Sequence, residues 1–257
     1  FMRPIFNWFV ENYSVRTEPA FEEIFEHNPR LIHIMNHGPM FGPWPVGALL
    51  ARLDDEAGYG DRIPFAVAHR LFFVLPGIRD MMAQYLNARQ PYTFQEVMDN
   101  FAAGNFTDFM VLPEGDNCNF GNMDRRREFR SHRYLELAIE LDTQILITVH
   151  RGTEQWSTGV RLDDFAMKAM HNLMPMLYHR IEKHRIVLLP SIPAPIPQID
   201  VYSKLYTPKL TKADLADDKM IRRRQIVTES LEVKRLMNKM LAELDEAVGE
   251  SPLIPTV

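Results

Sequence analysis

Only one cysteine, Cys118, occurs in 257 residues. That excludes an intrachain disulfide framework and fits a reducing compartment. Basic charge is not in excess either. Against 29 Lys and Arg stand 34 Asp and Glu, for a net charge of −5, which argues against a general nucleic-acid binder. No apolar run reaches the ~18–20 residues that span a bilayer; Leu71–Leu75 is cut off by Pro76 and Gly77. A signal-peptide pattern is not visible, and a membrane anchor upstream of Phe1 is left open. There is no Gly-x-Ser-x-Gly elbow, no phosphate-loop lysine motif, no internal repeat and no glycine-rich linker. What is present is ordinary globular material, 46% hydrophobic and 25% charged, with ample apolar content for a sizeable core.

That material is arranged as short apolar runs alternating with longer amphipathic stretches. The runs Leu31–Met35, Ile63–Ala68, Ala83–Asn87, Asp108–Leu112, Ile145–Val149 and Ile186–Leu189 read as strands. Phe21–Glu26, Pro45–Arg52, Thr93–Ala103, His132–Leu141 and Phe165–His184 read as helices, with Thr93 opening a capping box. Such alternation predicts an α/β fold with a mostly parallel central sheet flanked by helices. One domain over residues 1–257 is expected, with a peripheral N-terminal segment, 1–20, and a C-terminal helix, 219–248. Pro4–Tyr13 is expected to be a helix packed on the core, the alternative being a membrane-interface segment. Leu189–Gln198 carries four prolines and should be extended. On the C-terminal helix, Leu236, Met237, Met240, Leu241 and Leu244 share one face, and Arg222-Arg223-Arg224 reads as solvated surface.

Two strand ends carry polar turn residues. Asn36-His37-Gly38-Pro39 follows Leu31–Met35, and Leu112-Pro113-Glu114-Gly115 follows Phe109-Met110-Val111. In open α/β sheets ligands bind outside the strand carboxyl ends. His37 there suits proton abstraction near neutral pH. Gly115 permits a backbone conformation closed to other residues, and amides in such a turn can cradle an anion. Arg89, closing Ala83–Arg89, could grip a phosphate bidentately. Each segment alone has a plainer reading: a loop histidine, an ordinary turn, a surface arginine. His33 lies four residues before His37, but the intervening residues read as strand, so no metal site is expected. Cys118 beside His37 could form a nucleophilic pair, though a lone cysteine usually fills core space.

Taken in order, these segments resemble the glycerolipid acyltransferase superfamily, which includes glycerol-3-phosphate and lysophosphatidate acyltransferases. Its pattern is Asn-His, a four-residue spacer and Asp; then a strand ending in Arg; then Phe-Pro-Glu-Gly-Thr; then a proline-rich apolar strand. Asn36-His37 matches the first block, Arg89 the second, Leu112-Pro113-Glu114-Gly115 the third, and Ile145–Val149 stands at the fourth. The resemblance covers roughly residues 30 to 200. It implies acyl transfer from acyl-CoA or acyl carrier protein to a hydroxyl of a lysophospholipid or neutral glycerolipid. His37 would be the general base, with no metal or cofactor, and Asn36, Arg89 and Gly115 would contact substrate. A lipid acceptor, a peripheral membrane surface and a cytoplasmic location in lipid metabolism go with it. Two departures stand out. Gly42 occupies the position of the family's aspartate, which orients the histidine, and Asp116 replaces the usual threonine. A relocated carboxylate, Glu114 or Asp116, is therefore expected to support His37. Otherwise the chain is a catalytically degenerate lipid-binding protein of the same fold, and a third reading is a thioester or ester hydrolase. Met167, Met170, Met174 and Met176 are candidates for an acyl-chain groove, or else core filling.

Overall fold

A strand that is apolar at four of five positions and buried along its whole length belongs in the middle of a sheet covered on both faces. Strand β2 (Leu31–Met35) is such a strand, and it lies centrally in the computed structural model of the chain. The structure describes residues 9–38, 42–67, 79–80, 83, 87, 90–115, 127–182, 184–190 and 195–248. Their main sheet has six strands. It is built from β1 (Val10–Glu18), β2, β3 (Pro64–Ala66), β4 (Asp108–Val111), β5 (Ile145–Arg151) and β8 (Ile196–Tyr206) in the order β1-β8-β5-β2-β4-β3. Every neighbouring pair is parallel except β5–β8. The mostly parallel α/β architecture expected from the alternating pattern is therefore present.

Each face of the sheet has its own helical layer. Leu31 and Met35 turn toward helices α1 (Phe21–His27) and α2 (Pro43–Glu56), packing with Ile24, Val46, Leu49, Ile199 and Val201. Ile32 and Ile34 turn the other way, toward α3 (Phe94–Ala102), α4 (Arg133–Glu140) and α7 (Lys219–Val248). The alternation of adjacent residues between two cores is the period-two geometry of a strand. Thr93 makes the expected capping box with Glu96. Helix α7 buries Met237, Met240, Leu241 and Leu244 against the sheet, with Leu236 partly covered. Between β5 and β8 sits an insertion. It has two antiparallel strands, β6 (Ser157–Arg161) and β7 (Ile186–Pro190), joined through α5 (Asp164–Leu173) and α6 (Pro175–Ile181).

Several local expectations change. Pro4–Tyr13 is not a helix beyond its first described residue, Phe9. From Val10 the chain is the edge strand β1, mostly exposed and paired in parallel with β8. Polar residues at Glu11, Asn12, Ser14 and Arg16 suit an edge strand and hid it among the neighbouring aromatics. Ala83–Asn87 is not a strand where it is described. Ala83 has helical backbone and Asn87 sits at φ 51°; the run has no β-branched residue to favour extension. The single helix expected over Phe165–His184 is divided at Pro175, which opens α6, because proline disfavours a helical residue before it. Among the described residues no helix is long and apolar enough to cross a membrane.

Candidate active site

Because β2, β4 and β5 run parallel and adjacent, their carboxyl ends open on one edge of the sheet. Asn36-His37-Gly38 leaves β2, Leu112-Pro113-Glu114-Gly115 leaves β4, and Gly152 follows β5. The two motifs singled out in the sequence thus meet although 77 residues separate His37 from Glu114. The contact is direct. The His37 backbone N–H donates to Glu114 Oε2 at 2.9 Å. The ring Nδ1 lies 3.1 Å from the Gly38 carbonyl. A carbonyl only accepts, so Nδ1 carries the proton and the lone pair of the neutral ring sits on Nε2.

Behind His37 a second set of bonds fixes the chain. Asn36 is fully buried and clasps β5: its side-chain amide donates to the His150 carbonyl at 3.2 Å, and its oxygen accepts the His150 N–H at 2.8 Å. His150 Nε2 lies 2.9 Å from the Asn36 carbonyl, so this nitrogen donates and Nδ1 is left to accept from the Thr153 hydroxyl at 3.3 Å. Gly38 then turns away at φ +59°, with a missing Cβ that would stand 3.1 Å from His150 Cε1. Left-handed backbone and a close ring together call for glycine. Asn36 is therefore a clamp between strands, whereas the resemblance gave it a substrate contact.

The Pro113–Gly115 turn is held just as firmly. Gly115 has φ +65°, as its sequence context suggested. Its N–H, however, donates to the Leu112 carbonyl at 3.1 Å, and the Pro113 carbonyl accepts from Arg130 N–H and Ser131 N–H. The Gly115 and His37 amides are thus both spent inside the protein. Arg130 lays its aliphatic stem across Gly115, its Cδ 3.5 Å from where a Cβ would be.

Glu114 is 0% exposed, and its other oxygen, Oε1, accepts from the ammonium of Lys234 at 3.0 Å. Lys234 is itself only 3% exposed and lies on α7, with Nζ 5.0 Å from the centre of the Phe129 ring. An isolated buried carboxylate would cost several kcal/mol, and removing one partner of such a pair typically costs about 3–5 kcal/mol. The sequence reading missed Lys234. The one available signal was a lysine on the stripe that also carries Met237 and Leu241. It missed His150 as well, a fully buried polar residue near the end of β5.

Other candidates fall elsewhere. Arg89, Asp116 and Cys118 lie outside the described residues. Gly42 is the residue before α2, with helical backbone. Met167 is buried on α5, Met170 is half-buried and Met174 is exposed; the Met176 side chain lies outside the described residues. His33 belongs to a buried cluster with Asp108 and Arg62. Its Nε2 donates to Asp108 Oδ1 at 2.8 Å, and Arg62 grips Asp108 with Nε and Nη2 each at 2.7 Å. The Arg62 guanidinium and the His33 ring hold the Asp108 carboxyl down at about 2 against the desolvation that would raise it. Asp54 on α2 faces the same cluster, and burial pushes its carboxyl up to about 6, with the Asp108 charge adding to the rise.

No family model matches the chain, and no curated protein matches it. Among solved structures it is similar to a 1-acyl-sn-glycerophosphate (LPA) acyltransferase, PlsC, from Thermotoga maritima. The identity is 14%, the TM-score 0.46, and the match covers 97% of this chain and 78% of that chain. A likeness of that degree assigns neither residue roles nor a substrate.

Proposed function

We propose that the chain is an acyltransferase moving a fatty acyl group from acyl-CoA or acyl carrier protein to a hydroxyl of a lysophospholipid or neutral glycerolipid. One observation carries this reading: His37 and Glu114, from the two sequence blocks that the acyltransferase resemblance pairs, are joined through the 2.9 Å bond at the carboxyl edge of the sheet. In the reaction His37 Nε2 takes the proton of the acceptor hydroxyl as its oxygen attacks the thioester carbonyl. The new C–O bond forms, the C–S bond breaks, and the imidazolium returns the proton to the departing thiolate. Nothing in this sequence of steps requires a metal. Glu114 fixes the histidine by its backbone.

The same proposal includes peripheral contact with a lipid surface in a reducing, cytoplasmic setting. Of the Pro4–Tyr13 segment, Phe6 and Trp8 lie outside the described residues, and Phe9 packs edge-on against Trp156 at 5.2 Å. Phe165, Leu173 and Met174 in and just after α5 are exposed, and apolar side chains of that kind suit an interface. The test is incubation with radiolabelled acyl-CoA or acyl carrier protein thioester and a panel of lysolipids and neutral glycerolipids. Acylated lipid is the expected product. Release of free acid alone would identify a hydrolase, and retention of lipid without turnover would identify a binding protein; either result overturns the acyltransferase reading.

A further inference from the structure

A buried lysine midway along a helix needs a reason. Helix α7 is 30 residues long, and Lys234 lies near its middle, where the side chain cannot run out past a helix end to water. Its neighbours Val233 and Met237 are fully buried. One turn earlier, Ser230 is also fully buried and bonds both the Tyr134 hydroxyl and His132 Nδ1, each at 2.8 Å. Ser230 and Lys234 thus form a short polar stripe inside an apolar face. Stability alone does not explain such a stripe. Replacing a buried ion pair by apolar residues of like volume is often neutral or stabilising. The pair must therefore be read by what it holds.

Lys234 Nζ meets Glu114 Oε1 at 3.0 Å, and Glu114 Oε2 accepts the His37 N–H at 2.9 Å. The Phe129 ring lies 5.0 Å from the same ammonium, and the two residues after Phe129 donate their N–H groups to the Pro113 carbonyl. Lys234 is thereby in touch with the turn that carries Glu114 from two sides. If the ammonium is removed, the buried carboxylate loses the charged partner that fixes Oε1. A carboxylate no longer anchored at Oε1 is free to turn Oε2 away from the His37 N–H. The histidine then loses the bond that sets the direction in which its ring leaves β2.

We propose that Lys234 is a positioning residue of the acyl-transfer site, acting through Glu114 on the backbone of His37, so that α7 belongs to the active centre although it contributes nothing to the reacting atoms. The inference rests on the acyltransferase reading for its kinetic consequence, but its structural consequence is independent of it. Displacements of about 1 Å at a reacting group can cost about 10²-fold in rate. Lys234→Met should therefore lower kcat by about 10- to 100-fold, with KM for donor and acceptor each changed less than about threefold.

Lys234→Met leaves a buried carboxylate unpaired and can fail to fold, so a second variant is needed. Lys234→Met with Glu114→Gln removes both charges, while the glutamine carbonyl still accepts from His37. This double variant should melt within a few degrees of wild type and turn over at least about fivefold faster than a folded Lys234→Met protein. The direct readout uses protein labelled with 15N-histidine, which has nine histidines, the His37 amide signal being identified by its loss in His37→Ala. That signal should move upfield in Lys234→Met, or be lost with the fold, and return toward its wild-type position in the double variant. A folded Lys234→Met protein with wild-type kcat and an unmoved His37 signal overturns the proposal. So does a folded double variant that stays as slow as a folded Lys234→Met protein, or whose His37 signal fails to return, because the charges would then act otherwise than by position. If the wild type transfers no acyl group, the functional reading fails by itself, and the His37 signal alone decides the role of Lys234.

Discussion

Replacing Asp54 by Asn should make the protein's stability less sensitive to pH, in a window set by the buried cluster beneath β2. Asp54 Oδ1 and His33 Nδ1 are both buried and, among the described residues, without a hydrogen-bond partner. Burial first, then the nearby Asp108 charge, raises the Asp54 carboxyl from 3.8 to about 6, with His33 and Arg62 opposing. A raised acid binds more protons in the folded state than in the unfolded one. Its contribution to stability is full below pH ~3.8 and is lost as pH rises through ~6. At 1.36 kcal/mol per pH unit the limit is about 3 kcal/mol, and about 1–3 kcal/mol is expected once the chain relaxes around the charge. Asp108 acts with the opposite sign in a separate window. Held down to about 2, it contributes stability above ~3.8 that is lost only as pH falls toward ~2. Asparagine at position 54 does not titrate. Urea unfolding of both proteins at about pH 4.5, 5.5, 6.5 and 7.5 should therefore show the variant gaining on wild type by about 1–2 kcal/mol across the range, the rest of the effect lying below pH ~4.5. Parallel stability curves, separated by a constant to within about 0.5 kcal/mol, would refute the assignment of that titration to Asp54.

Three further outcomes follow from the same geometry. His37→Ala should lose at least ~10²-fold in acyl transfer while keeping the wild-type far-UV spectrum and melting transition, because the ring is only half-buried; near wild-type turnover would end the base mechanism. Gly42→Asp should not raise turnover in the same assay, since the Gly38 carbonyl already engages Nδ1 of His37; a clear gain would mean that the site is degenerate. Arg62→Met removes both guanidinium bonds to buried Asp108 and should cost about 3–5 kcal/mol in urea denaturation, with a loss below about 1 kcal/mol counting against the cluster's charged form.

The sheet was legible because its central strands are short, apolar and followed by turn residues. β2, β4, β5 and β7 all lie where their apolar runs stand. The strands that escaped are those with less local signal. β1 has mostly polar side chains facing solvent, and β8 interleaves Gln198, Asp200, Ser203 and Lys204 with its apolar residues behind Pro197. Their strand identity comes from pairing with each other over eight residue pairs, a long-range fact that overrides weak local preference. The site divides in the same way. Asn36-His37 and Glu114-Gly115 were readable because strand-end turns carry a composition of their own. What they do in detail was not. Asn36 turned out to brace β5, the Gly115 amide closes its own turn, and Glu114 takes the His37 main chain.

Lys234 marks the limit of motif reading for a physical reason. It lies inside a regular helix, so no glycine, proline or cap distinguishes its surroundings, and 120 residues separate it from Glu114. Its only trace is a charge on a stripe that should be apolar. A charge there has two solutions, reaching water or finding an opposite charge, and position along the helix decides between them. Near an end the four-carbon stem carries the ammonium out to solvent. Near the middle, beneath a sheet edge, the ammonium needs a buried acceptor, and that acceptor must sit on an element packed against the same stripe. Glu114 sits on such an element, and it too was an oddity in its own context, a fully buried carboxylate in a turn. Two residues that each violate the burial rule for charge are more informative as a pair than either is alone, because each removes the energetic objection to the other. The order of inference that would have reached Lys234 from sequence thus runs from the motif glutamate outward, to the cation that its burial requires, and only then to the helix that supplies it.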